Sequence, residues 1–154
     1  MRTLKLLCVL GLILGLTCTV YAAQTPRITT IMEVKGTVEV RISGGAWIPA
    51  EEGMILKQGD LIRTMEASSA KVNLDGNGET AMVQVKENSQ MMIAQLVEDI
   101  EAATQSTLLD LALGSVLITA KELHSETSRF EVKTPTSIVG VRGTTFVVTV
   151  EAIE

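Results

Sequence analysis

The chain has 154 residues, 46% of them hydrophobic but only 3% aromatic, with a formal net charge of −5. That length allows one leader-like segment and one domain with a real core, which Val, Ile, Leu and Met must pack. The acidic balance argues against nucleic acid and anionic lipid as partners, because both carry the same sign of charge.

The first 23 residues read as a secretory signal. Arg2 and Lys5 give a basic start, residues 6–16 form an apolar run, and small and polar residues close the segment at Ala22 and Ala23. Val20 and Ala22 fit the small-x-small rule, so the expected signal peptide is 1–22 with cleavage after Ala22. A retained membrane anchor is the main rival, since residues 6–23 nearly suffice to span a bilayer. A lipoprotein reading at Cys18 is weaker, because Gly15, Leu16 and Thr17 make a poor lipobox. Both cysteines, Cys8 and Cys18, fall in this segment, so the processed chain is expected to hold no disulfide, cysteine metal cluster or cysteine nucleophile. Removing Arg2 and Lys5 from the 13 basic residues leaves 11 against 18 acidic ones, a net charge of −7.

Residues 24–30 are polar, contain Pro26 and predict no definite structure. The first strand is clearer: Val34, Gly36, Val38, Val40 and Ile42 alternate with Lys35, Thr37, Glu39 and Arg41, and Gly44 with Gly45 ends it. Trp47, the only tryptophan, is expected to lid one end of the core, with ligand stacking as the alternative. Gly53 and Gly59 then punctuate two short apolar runs, 54–56 and 61–62, which need neighbouring strands to be stable. Ala70, Val72 and Leu74 alternate with polar residues, DGNG at 75–78 supplies a hairpin turn, and Ala81, Val83 and Val85 form the return.

Two periods compete in residues 88–107. Met92, Leu96, Ile100 and Thr104 recur four apart as in a helix, but strand-like segments flank them, so a strand and long hairpin is expected instead. Leu109, Leu111 and Leu113 resume alternation, and Gly114 with Ser115 is expected to turn the chain into Val116, Ile118 and Ala120. A polar connection over 121–129 carries His124, the only histidine. The final stretch, 129–150, has strands marked by Phe130 and Val132, then by Phe146, Val148 and Val150. Pro135, Gly140 and Gly143 lie between, so the strand must leave its sheet, turn tightly and re-enter. Many short strands joined by Gly-rich turns predict an all-β domain over 30–154, a curled β-roll or sandwich-like fold.

Four stretches carry a resemblance: VKGTVEV at 34–40, GMILKQGDLIRT at 53–64, SSAKVNLDGNGE at 68–79 and FEVKTPTSIVGVRGTTFVV at 130–148. Together they resemble the domain family named after the ferric-citrate regulator FecR, and LDLALGSVLI at 109–118 fits it too. The resemblance implies an all-β envelope domain. In the name-giving regulators it relays a signal from an outer-membrane transporter to a cytoplasmic sigma factor. Only five residues precede the apolar run here, so the chain is similar to stand-alone secreted or periplasmic copies without the cytoplasmic anti-sigma part.

Candidate chemistry is thin. His124 has no second His or Cys for a metal and reads as a surface residue. Asp75, Asn77 and Glu79 space oxygen donors two apart, like a calcium loop, but lack the later bidentate Glu, so a plain hairpin turn is favoured. Asp60 has no partner carboxylate and is expected to bond nearby backbone. Ser68, Ser69 and Ser115 lack a nucleophile elbow, and GVRG at 140–143 is neither a P-loop nor a dinucleotide fingerprint. Arg142 is expected to bond carbonyls at its turn, with a contact to an anionic partner as the alternative. No catalytic, cofactor-binding or metal residue is therefore assigned. The expected function is non-enzymatic binding of an envelope protein or cell-wall glycan, with a membrane contact only if the signal is retained. Alternatives are a scaffold module of a surface structure, or a signalling role through a separate sigma-factor partner.

Overall fold

The computed structural model describes residues 24–75, 81–121 and 128–151. The signal reading over 1–22 and the residues His124, Asn77 and Glu79 lie outside them. Among the described residues there are thirteen strands and no helix. They are β1 (Gln24–Pro26), β2 (Thr29–Lys35), β3 (Val38–Arg41), β4 (Trp47–Pro49), β5 (Ile55–Leu56), β6 (Leu61–Thr64) and β7 (Ser69–Leu74). Then follow β8 (Ala81–Val85), β9 (Ser89–Asp99), β10 (Thr104–Ala120), β11 (Arg129–Lys133), β12 (Ile138–Gly140) and β13 (Thr145–Val150).

The strands form one continuous sheet, bent into two halves that curl around a common core. The first half runs β4-β3-β6-β9-β10, continues through β11 to β12, and has β1 beside the far end of β9. The second half runs β5-β2-β7-β8-β10 and ends at β13. Only β10 belongs to both, pairing with β9 and β11 through residues 104–113 and with β8 and β13 through residues 114–120. Inward side chains of both halves, among them Val40, Ile62, Leu96, Leu111, Val83, Ile118 and Phe130, are fully or almost fully buried in a single cluster. Period-two alternation supplies this core with Phe130 as its one fully buried aromatic among the described residues, because each strand buries only one of its faces.

A crease crosses the sheet where the halves meet, and four segments lie side by side along it. Met65 N donates to Thr37 O at 3.0 Å, Asn88 N to Met65 O at 3.2 Å and Lys86 N to Ser115 O at 2.9 Å. The two outer segments bend at glycines with positive φ, Gly36 (71°) and Gly114 (89°). Each is locked by a serine. Ser68 Oγ accepts from Thr37 N at 2.8 Å and donates to Glu66 O at 2.9 Å. Ser89 Oγ accepts from Ser115 N at 2.8 Å and donates to Glu87 O at 3.0 Å. In each case the residue before the serine is left-handed, Ala67 at 53° and Asn88 at 51°. The two corners are thus the same device used twice, read in sequence as G-[TS]-V against E-x-S only once the pairing is known.

Several expectations change. Gly114 and Ser115 do not turn the chain; β10 passes straight through them as one 17-residue strand that changes halves. A bend costs the ladder less than a turn, since both edges of the strand stay paired on either side of it. The register slips between Leu111 and Leu113, so Leu113 is 40% exposed rather than inward. The predicted strand from Val34 to Ile42 is broken at Gly36 into β2 and β3, and Ile42 is exposed. The polar lead-in carries β1 and the start of β2. The hairpin over 88–107 is borne out as β9, a turn at 100–103, and β10.

Candidate functional site

The last stretch re-enters the sheet in the other half from the one it left. β11 pairs parallel with residues 106–110 of β10, β12 returns antiparallel to β11, and β13 pairs antiparallel with residues 114–119 of β10. β11 and β13 therefore cover successive parts of one edge of β10. Between them a cleft of about 620 Å³ opens over Ala112 and Leu113. Residues 134–137 and Val139 form one wall, and residues 146–151 form the other.

The Thr-Pro-Thr-Ser wall is stiff because its polar groups close on each other. Thr134 N donates to Ser137 O at 2.8 Å, and Ser137 N donates to Thr134 Oγ1 at 3.0 Å. Pro135 fixes the backbone between them. On the facing strand Phe146 and Val150 are half-buried against the core, Val148 is buried, and Val147 is 51% exposed. Leu113, exposed by the register slip, adds to an apolar floor with no lysine or arginine and a single acid, Glu151. Such a surface suits apolar and backbone contacts.

Arg142 lies in the link between β12 and β13, exposed, beside a smaller cleft with Arg129 and Glu131. Asp60 is buried and accepts from Ser43 N and Lys57 N, both at 2.8 Å, so its carboxylate holds two loops together. Ser68 is committed to the crease, Ser69 is half-buried in β7, and Ser115 Oγ meets Thr149 Oγ1 at 3.1 Å. The structure brings none of these candidates together. Asp75 pairs with Arg27, a buried guanidinium that also donates to Thr107 Oγ1 at 3.1 Å. Burial lowers the Arg27 pKa, with Glu98 acting in the opposite direction. Nothing in the sequence flags this cluster, because Arg27 and Asp75 are 48 residues apart. Trp47 does not lid the core. It lies on the outward face of β4, with the guanidinium carbons of Arg63 and Arg41 at 4.1 and 5.2 Å from its ring centroid. Among the described residues no group of three or more His, Cys, Asp or Glu is placed to hold a metal ion.

Fold and cleft together define the class: a curled all-β domain of short strands with one C-terminal edge that no described strand covers. A family model described as FecR protein matches residues 60–153, and the chain belongs to that family. The FecR domain is involved in transmembrane sigma-factor signalling, and its family is envelope-associated. No match is found among the curated proteins or the solved structures. The matched span starts at Asp60, yet β3 pairs with β6 and β2 with β7, so the folded unit reaches back beyond it. No helix among the described residues is long and apolar enough to cross a membrane, which says nothing of a β-barrel.

Proposed function

We propose that this protein is an exported, periplasmic or secreted FecR-family domain that works by binding, not catalysis. Its partner is another envelope component, protein or cell-wall glycan, and the binding surface is the C-terminal cleft. The observation carrying this reading is that cleft itself: a wall held rigid by reciprocal Thr134 and Ser137 bonds faces an apolar strand across an open floor. The same residues belong to the stretch that most strongly resembles the family, and residues 60–153 match its model. Further support comes from Asp60, Ser68 and Ser89, whose side chains are engaged with backbone groups.

A photo-crosslinking residue at the exposed Thr136 tests this in intact cells, with one at Met82, 44% exposed on β8, as the control. The expected result is one dominant protein adduct or a cell-wall adduct from position 136 and none from position 82. Equal adducts from both positions, or none from either, would sink the cleft as the binding surface.

A further inference from the structure

Most sheet edges in this protein are guarded against pairing with another chain. β1 and β4 are three residues long and carry Pro26 and Pro49, β5 has two residues, and β12 has three. Short length and proline are common ways to blunt an edge. Among the described residues β13 has neither protection: it spans six residues, Thr145–Val150, without charge, proline or register slip, and no described strand pairs with its outer edge.

The pairing with β10 shows which backbone groups that edge presents. Ala120 N donates to Thr144 O at 3.2 Å, and residue pairs alternate along an antiparallel ladder. Phe146, Val148 and Val150 therefore turn their N–H and C=O toward β10. Thr145, Val147 and Thr149 turn theirs toward the open edge.

We propose that β13 pairs antiparallel with β13 of a second copy of this chain, about a two-fold axis at Val147. This register sets Val147 against Val147 of the second copy, Thr145 against Thr149 of the second copy, and Phe146 against Val148 of the second copy. Every edge-facing residue then meets another edge-facing residue, as a ladder requires. Shifting by one residue would oppose each to a residue whose polar groups already serve β10. The strand suits itself as a partner because Thr-Phe-Val-Val-Thr has nearly the same chemistry in both directions. Thr–Thr and Val–Val are favourable cross-strand pairs. Two copies of a chain carrying a net charge of −5 repel over most of their surface, and β13 lets them meet without opposing carboxylates. Glu151 falls opposite Gly143 of the second copy, next to an arginine. The contact is isologous and closes after two chains.

This inference shares β13, one wall of the cleft proposed above, but the two are read separately: the mass of the purified protein decides the pairing, and an adduct from position 136 to anything other than a second copy decides the envelope partner. Light scattering on the purified protein at tens of micromolar should return the mass of two chains. Val147→Lys should return one chain with an unchanged far-ultraviolet spectrum, since the side chain is half exposed on the outer face. Val147→Glu should also return one chain. Mixing the two variants should restore the two-chain mass, because only a two-fold at this residue sets position 147 against itself. A single-chain mass for the unaltered protein at on the order of 100 μM overturns the proposal. So does a Val147→Lys protein that stays paired, or a mixture that stays single.

Discussion

Gly114 shows how much of this fold rests on one missing methyl group. A Cβ there would lie 2.5 Å from Ser89 Cα and 2.6 Å from Asn88 O, backbone atoms that cannot step aside, and φ is already 89°. Gly53 has a similar φ of 82° but open space around it. The pair separates two effects that a sequence cannot. Gly53→Ala should cost about 1–2 kcal/mol from the left-handed backbone alone. Gly114→Ala should cost on the order of 3 kcal/mol or more, since overpacking adds to it. Urea midpoints measure both, and equal losses would mean that the Ser89 corner does not constrain the crease.

At the scale of elements, β13 tests the alternation directly. Phe146 is half-buried against the core, not sealed within it, because among the described residues β13 is the last strand of its half and pairs with β10 alone. Phe146→Ala should therefore cost roughly 2 kcal/mol, below the 3–5 kcal/mol of a fully buried phenylalanine. Val147→Ala, on the opposite face, should cost less than about 0.5 kcal/mol. Chemical denaturation of the two variants reads the difference, and a larger loss at Val147 would reverse the face assigned to this strand. The strand's inward face was legible from residues 146, 148 and 150. Its place in the other half of the sheet from β11 was not, since Gly140 and Gly143 signal a turn without saying where the chain lands.

At the scale of the whole molecule, the outer surface adds a pH dependence. Glu33 accepts from Lys35 and Lys71, at 2.6 and 2.5 Å, which holds its carboxyl at about 2, below the usual 4.5. A depressed carboxylate stabilises the fold fully above the ordinary value, and that contribution is lost as the pH falls toward 2. The stability difference between the natural protein and Glu33→Gln should be constant above pH 4.5 and shrink between 4.5 and 2. The group faces solvent, so added salt should reduce the difference throughout. A difference that grows as the pH falls, read from urea midpoints, would contradict the Lys35 and Lys71 pairing.

The all-β class, most strand faces and the long hairpin were determined by the sequence alone. They follow from side chains alternating along a single strand, a local property that needs no knowledge of neighbours. The tertiary structure alone decided that β10 runs unbroken through Gly114, that Trp47 stacks with two arginines outside the core, and that Arg27 meets Asp75. It also decided that β13 ends the sheet among the described strands. Each of these depends on which distant strand lies alongside, and a glycine or a charge looks the same in sequence whether its neighbour is solvent or another strand.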